Sequence, residues 1–121
     1  MTDSIRRLYD QVLEAREADP AGSRTARLMR DGLPKMAKKV AEEAVEVSLE
    51  AIAGNREAVV LESVDLVYNL TVLWAAAGIR PEEIWAEMER RERLLGICEK
   101  LPKQDAARAG PARALAGGRR P

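Results

Sequence analysis

The sequence contains no histidine, no phenylalanine and only one cysteine, Cys98. A lone cysteine cannot form an internal disulfide, and the usual zinc sites are excluded because they are built on histidine or on several cysteines. A di-iron carboxylate bundle is excluded as well, since its Glu-x-x-His ligands require histidine. Any metal site in this chain must therefore be made of oxygen ligands.

The composition favours helix over sheet. The chain has 121 residues, is rich in Ala, Leu, Glu, Arg and Val, and has few aromatic residues. We expect an all-α fold, a helical bundle of about four main helices that is completed by oligomerisation. The expected domain covers residues 1–101. Residues 102–121, which are mostly Ala, Gly, Pro and Arg, are expected to form a disordered tail because they can bury little apolar surface.

Glycine, proline and capping residues mark where the helices should end. The first helix should stop at residues 19–22, and Ser23 should cap a short turn that runs through Met29. A loop is expected at residues 31–34. The further helices are expected at residues 35–53, at residues 56–77 and from Pro81 onward.

Charge and hydropathy limit the partners and the location. The N-terminal segment has no apolar signal-peptide core, and the apolar stretch at residues 58–79 is interrupted by two acids and Asn69, which argues against a membrane span. Residues 1–101 carry a net negative charge, which argues against polyanion binding. We expect a cytoplasmic protein that binds neither nucleic acid nor membrane.

Two acidic clusters lie in the most apolar part of the chain. Projected at 100° per residue, Glu42, Glu43, Glu46 and Glu50 form a narrow stripe on the helix at 35–53. On the next helix Glu62, Asp65 and Asn69 lie within about 60° of one another, and the remaining circumference is apolar. Isolated buried carboxylates are costly, so each needs a proton, a partner or a metal ion.

The short Gly54–Asn55 turn requires the two helices to pack antiparallel, so their acidic stripes can face one another. Convergence of Glu43, Glu46, Glu62 and Asp65 would favour Mg²⁺, with Mn²⁺ as a substitute, together with a phosphorylated ligand. The alternative is a solvated helix face with i to i+4 ion pairs. That alternative is weaker for Glu62 and Asp65, because their helix has no polar face to join.

A basic segment precedes the first acidic cluster. Its side chains are either ordinary solvated charges or a phosphate clamp, since Lys and Arg bind phosphate oxygens directly. The segment contains Arg24, Arg27, Arg30, Lys35, Lys38 and Lys39. From these we take Arg27, Lys35, Lys38 and Lys39 as candidate phosphate-binding residues.

The acidic motifs resemble a known family. The segments Glu42-Glu43-Ala44-Val45-Glu46 and Glu62-Ser63-Val64-Asp65 are similar to the EExxE…ExxD signature of the MazG-like all-α nucleoside triphosphate pyrophosphatases. The surrounding text, SRTARLMRDGLPKMAKKVAEEAVEV and ESVDLVYNLTVLWAAAGIRPEEIWAEMERR, resembles the phosphoribosyl-ATP pyrophosphohydrolases of histidine biosynthesis. The resemblance covers about residues 8–91.

This resemblance implies Mg²⁺-dependent hydrolysis of phosphoribosyl-ATP to phosphoribosyl-AMP and pyrophosphate by a homodimer or homotetramer. Lys38 and Lys39 match the family's basic pair. Glu42 matches the first acid of the motif, where it could position or deprotonate the attacking water, or serve only in ordering the metal or as a helix-surface residue. The positions that match the family's metal-binding carboxylates are Glu43, Glu46, Glu62 and Asp65.

Two alternatives remain open at this level. The family usually has Gly where this chain has Ala41, and His where this chain has Asn69, which we place just behind the metal ligands. A MazG-like paralogue that hydrolyses another nucleoside or deoxynucleoside triphosphate is therefore one alternative. The other is a noncatalytic helical bundle whose apolar helices exist to oligomerise.

Overall fold

The computed structural model of the chain describes residues 2–94, with side chains from Ser4 onward. Within that range there are five α-helices and no strand, so the all-α prediction is confirmed. The helices are α1 (Thr2–Ala15), α2 (Arg24–Asp31), α3 (Leu33–Ile52), α4 (Arg56–Ala77) and α5 (Pro81–Leu94). The predicted domain boundary near residue 101 and the predicted disordered tail at 102–121 lie outside the described residues.

The segment between α1 and α2 combines a turn with a helix cap. The Asp19 carboxylate accepts a hydrogen bond from the Ala21 amide at 3.0 Å, which orders the turn after α1. The Ser23 hydroxyl accepts one from the Ala26 amide at 3.1 Å and caps α2, because the first amides of a helix have no partner within it. The capped segment extends to Asp31 and is therefore a helix rather than a turn.

The prediction of a loop at residues 31–34 is wrong. Asp31 ends α2, Leu33 begins α3, and only Gly32, with φ of 100°, lies between them. Pro34 falls in the first turn of α3, where its missing N–H costs no helical hydrogen bond. The Asp-Gly-Leu-Pro segment at residues 31–34 thus marks the place where one helix ends and the next begins.

The bounds of α4 agree with the prediction at both ends. The Asn55 side chain accepts a hydrogen bond from the Ala58 amide at 3.2 Å, which caps the first turn. Gly78 ends the helix in the left-handed conformation with φ of 75°, which glycine adopts without steric cost. These two local signals define the helix that carries Glu62 and Asp65.

A small core forms where α4 packs along α3 and against α1. Tyr9 and Val12 of α1 meet Val72 and Ala75 of α4, and Leu28 and Met36 complete this buried cluster. The Tyr9 hydroxyl donates a hydrogen bond to the Ile79 carbonyl at 2.9 Å, which ties α1 to the segment after α4. The core thereby fixes the C-terminal half of α4, while the acidic half lies beside α3.

Residues up to Pro81 form one compact unit, and the rest of α5 belongs to a second unit that we describe by itself. In α5, Glu87 accepts hydrogen bonds from the guanidinium groups of Arg90 and Arg91, at distances of 2.9 to 3.0 Å. These bonds stabilise the ionised form and lower the pKa of Glu87 to about 2.

Among the described helices, α4 is long and apolar enough to cross a membrane by length and composition alone. Such a test also admits core helices of soluble proteins. Glu62 and Asp65 lie in this helix, and together with Glu43 they form a group of acids whose oxygens lie close to one another.

Candidate active site

The turn between α3 and α4 brings two acidic stripes together. Gly54, with φ of 77°, and Asn55 complete the turn, so that α4 runs back along α3. One ligand oxygen from each of Glu43, Glu62 and Asp65 can be chosen so that all three atoms lie within 4.8 Å of one another. Glu43 comes from α3, and the two other acids come from neighbouring turns of α4.

Glu43 is the most buried of these acids, with 9% of its surface exposed. Its Oε2 atom lies 3.9 Å from the Lys39 ammonium, one helical turn away. Its Oε1 atom is buried, and no hydrogen-bond donor within residues 2–94 reaches it. A buried carboxylate oxygen without a donor is unfavourable, so this atom is suited to bind a cation or an ordered water.

Glu62 has an unusual protonation equilibrium. A hydrogen bond with the Glu46 side chain raises its pKa, and burial and the negative charges of Glu46, Asp65 and Glu43 raise it further, to about 7. Glu46 therefore contacts Glu62, although it does not belong to the group of three convergent oxygens. Glu62 therefore retains a proton close to neutral pH when no cation offsets the charge of the neighbouring acids.

A cavity of about 350 Å³ lies beside the acidic cluster. Glu43 and Asp65 line the cavity together with Glu42 and Asn69. Its lining also includes all four predicted phosphate-binding residues, Arg27, Lys35, Lys38 and Lys39. A cation bound by the acids and an anion bound by the basic residues would therefore occupy the same space.

The basic residues are held in different ways. The guanidinium of Arg27 donates a hydrogen bond to the Pro20 carbonyl at 2.9 Å, which restrains the side chain beside the cavity. Lys35 and Lys38 are exposed on the first turns of α3, whereas Lys39 is half-buried and lies near Glu43. Lysines of this kind can move to meet phosphate oxygens as flexible point charges.

Asn69 and Glu42 occupy contrasting positions. Asn69 is 4% exposed, and its amide nitrogen donates to the Asp65 carbonyl at 2.8 Å, so it braces the backbone of an acid in the cluster. It also lines the cavity itself and is not confined to a supporting layer behind the acids. Glu42 is exposed, and it lies at the border between this cavity and a shallower one that contains Glu46.

Sequence reasoning did not predict a contact between Arg24, which lines the cavity, and Tyr68. Arg24 lies over the ring of Tyr68, with its guanidinium carbon 4.0 Å from the ring centre. The Tyr68 hydroxyl is hydrogen-bonded to Thr25, which is buried. The available signal was weak: Arg24 belongs to the basic segment, and Tyr68 follows Asp65 by one helical turn.

Comparison with known proteins gives the family of this chain. A family profile described as phosphoribosyl-ATP pyrophosphohydrolase matches residues 5–92. A protein of Rhodopseudomonas palustris named phosphoribosyl-ATP pyrophosphatase 2 is 69% identical over 103 residues, which are 85% of this chain and 79% of that protein. A protein of the same name from Bradyrhizobium diazoefficiens is 65% identical over 103 residues, 85% of this chain and 77% of its own length.

A more distant relative has nearly the length of the shared region. Phosphoribosyl-ATP pyrophosphatase of Erythrobacter litoralis is 43% identical over 103 residues, which cover 85% of this chain and 99% of that protein. The profile match includes both acidic motifs and the basic segment. The chain therefore belongs to the phosphoribosyl-ATP pyrophosphohydrolase family.

Proposed function

We propose that this protein hydrolyses phosphoribosyl-ATP to phosphoribosyl-AMP and pyrophosphate, the second step of histidine biosynthesis, and that the reaction requires Mg²⁺. The observation that carries the proposal is a single cavity whose lining combines Glu43 and Asp65, two of the three convergent carboxylates, with basic side chains. Membership of the family supplies the substrate.

The residues present fit a hard divalent cation. Glu43, Glu62 and Asp65 offer only oxygen ligands, which Mg²⁺ prefers, and Mn²⁺ accepts the same donors. The Oε1 atom of Glu43, which no donor among the described residues reaches, and the crowding of Glu62 by neighbouring acids are both costs that a cation would remove. Glu46 would support Glu62 or complete the ligand set.

When bound, Mg²⁺ would offset the charge of the polyphosphate and make the phosphorus more susceptible to attack. The basic side chains that line the cavity would hold the phosphate chain in place, with Lys38 and Lys39 on α3 and Arg27 on α2 contacting its oxygens. The phosphate chain and the acids both carry negative charge and repel each other. Binding of the substrate would therefore depend on Mg²⁺ and on the basic side chains, which offset this repulsion.

Hydrolysis requires a water oxygen to form a bond to phosphorus while one phosphoric anhydride bond breaks and pyrophosphate leaves. Glu42 borders the cavity and is exposed, so its carboxylate can orient the attacking water and accept its proton. Asn69 holds the backbone at Asp65 and contributes a polar side chain to the same cavity.

We also propose that the protein is a cytoplasmic homo-oligomer, either a dimer or a tetramer. Large apolar side chains on α3 and α4 are exposed at levels that are unusual for a soluble monomer. A two-fold interface would cover the same patch on both copies. The exposed residues are Val45, Leu49, Ile52, Val60, Leu61, Val64 and Val67.

A substrate panel tests the proposed reaction. Pyrophosphate release would be measured with phosphoribosyl-ATP, ATP and the deoxynucleoside triphosphates, each with Mg²⁺ and with a chelator. We expect phosphoribosyl-ATP to be hydrolysed with much the highest kcat/KM, and only when Mg²⁺ is present. Preference for a deoxynucleotide would favour the MazG-like paralogue, for which Asn69 in the cavity wall is the relevant departure. Absence of turnover with every compound would favour a noncatalytic bundle.

A further inference from the structure

Arg24 is an exposed arginine that is held in place by an aromatic ring. Its guanidinium carbon lies 4.0 Å from the centre of the Tyr68 ring, within the range of a cation–π interaction. The ring itself is fixed, because Tyr68 packs against the core cluster and its hydroxyl is hydrogen-bonded to buried Thr25. The guanidinium therefore loses less freedom on binding a ligand than an arginine that projects into solvent.

The hydrogen-bond donors of Arg24 are available. Within residues 2–94 the guanidinium forms no hydrogen bond and no ion pair. It contacts the face of the Tyr68 ring. A guanidinium that stacks on a ring directs its N–H groups outward in its own plane. Such an edge is suited to accept two oxygens of a phosphate at once.

Arg24 also lies where two cavities meet. It lines the acidic and basic cavity described above and a second, more apolar cavity of about 640 Å³ between α1 and α4. Asp65 of the acidic cluster also lines both. Tyr68 is three residues after Asp65 on α4, so the ring under the guanidinium lies about one helical turn from an acid of the cluster.

We propose that Arg24 binds a phosphate group of the substrate's polyphosphate beside the acidic cluster, and that Tyr68 is the positioning residue that holds it there. This inference rests on the proposed function, because it adds a further cationic group to the same site. Arg24 and the lysines of α3 then both bind the polyphosphate, and the planar guanidinium supplies the directional contact that lysines lack.

Five variants test the proposal. Arg24→Gln removes the charge, Arg24→Lys keeps the charge but loses the planar fork, and Tyr68→Leu removes the ring while Arg24 stays. Tyr68→Phe keeps the ring face and removes only the hydroxyl. The matched control is Arg30→Gln, which removes the same charge from the same helix at an exposed residue that does not line the cavity.

Two readouts are needed for each variant, namely KM and kcat for phosphoribosyl-ATP and the calorimetric Kd of pyrophosphate in the presence of Mg²⁺. For Arg24→Gln we expect KM and Kd to rise roughly ten- to hundredfold, because a charge-assisted hydrogen bond to a desolvated phosphate is lost, with kcat changed by less than about threefold. Arg24→Lys and Tyr68→Leu should give smaller rises of about threefold or more. Tyr68→Phe keeps the ring but loses the bond to Thr25, so its rise should be smaller than that of Tyr68→Leu. Arg30→Gln should stay within about twofold of wild type.

The inference is overturned if Arg24→Gln matches Arg30→Gln in both KM and Kd, or if it lowers kcat while KM is unchanged. Thermal unfolding of each variant identifies any loss of folding, and the exposed positions Arg24 and Arg30 provide the decisive comparison even if Tyr68→Leu unfolds. Failure of the proposed function would be seen separately, as absence of Mg²⁺-dependent turnover in the wild type. The pyrophosphate titration would still report on Arg24 in that case.

Discussion

Glu62 and Asp65 are unusual residues for an otherwise apolar helix, and their cost is visible in the acid–base properties of the site. The Glu62 pKa of about 7 means that, without a cation, the cluster keeps a proton at a pH where an ordinary glutamate is ionised. A divalent cation would replace that proton. Under the proposed Mg²⁺ site, protonation and metal binding at this cluster would compete, and each should be measurable through the other.

Asp65→Asn is expected to abolish or strongly weaken Mg²⁺ binding while the protein stays folded. The substitution removes one convergent oxygen charge, and it also relieves repulsion with Glu62, so the cation-free variant should be at least as stable as wild type. Calorimetric titration with Mg²⁺ and thermal unfolding provide the two measurements. Glu57→Gln, an acid in the first turn of the same helix, is the control. Unchanged Mg²⁺ affinity in Asp65→Asn would argue against this cluster as the metal site.

The pKa of Glu62 predicts how stability depends on pH in the absence of divalent cations. Its ordinary value of 4.5 is raised to about 7, so between these values the folded chain binds more protons than the unfolded chain. The free energy of unfolding should therefore fall as pH rises from about 4.5 to about 7. Glu62→Gln should flatten this dependence, and Mg²⁺ should restore stability mainly at the upper end. Thermal midpoints that rise over this pH interval, in a chelator, would contradict the prediction.

The juxtaposition of the acids could be predicted from the sequence, whereas the Arg24–Tyr68 pair could not. Each acidic stripe follows from helical spacing, and the short turn leaves an antiparallel pairing as the natural arrangement. Arg24 and Tyr68 lie on helices that are distant in sequence, and their stacking depends on the crossing of α2 and α4. Such a contact is set by tertiary packing, and the sequence around each residue does not indicate it.

At the scale of elements, local signals predicted some helix ends well and others poorly. The bounds of α4 follow from the Asn55 cap and from Gly78, both of which act within one turn. Gly and Pro occur together at the junction of α2 and α3, and this pattern predicts a loop there. In the structure Gly32 alone makes the turn, since Pro34 is compatible with the first turn of α3. Proline in this context marks a helix start.

Gly78→Ala tests the stop signal of α4. With φ of 75°, this residue has a conformation that disfavours any Cβ, although no heavy atom lies within 4 Å of the added group. The expected loss in the free energy of unfolding is therefore a backbone effect of about 1–2 kcal/mol. Chemical denaturation measures it. Gly22→Ala, which has neither a positive φ nor a close neighbour, should change stability by much less. Equal effects at both positions would show that the left-handed cap is unimportant.

At the scale of the whole molecule, a soluble chain has to cover the apolar surface of α3 and α4. Val60, Leu61 and Val64 are each more than half exposed on α4, and Val45, Leu49 and Ile52 form a corresponding stripe on α3. The two helices pack along each other, so the exposed stripes belong to one hairpin. A second copy of the chain would bury both of them.

Val64→Glu should shift the protein from oligomer to monomer. Val64 is 62% exposed, so the substitution places a charge in the proposed interface without disturbing the core. Sedimentation analysis should show a lower mass, and the thermal midpoint should lose its dependence on protein concentration. Gln11→Glu adds the same charge at an exposed position on α1 and should leave the assembly intact. A wild-type protein that is monomeric at micromolar concentration would refute the proposed interface.

The central claim is that the acids of α3 and α4 bind Mg²⁺ for phosphoribosyl-ATP hydrolysis. It is tested most directly by the rate of pyrophosphate release as a function of Mg²⁺ concentration, for wild type, Glu62→Gln and Glu57→Gln. The account predicts saturable Mg²⁺ dependence for wild type and Glu57→Gln, and a rate at least about a hundredfold lower for folded Glu62→Gln. Mg²⁺-independent release by wild type, or a Glu62→Gln curve that overlays it, would contradict the account.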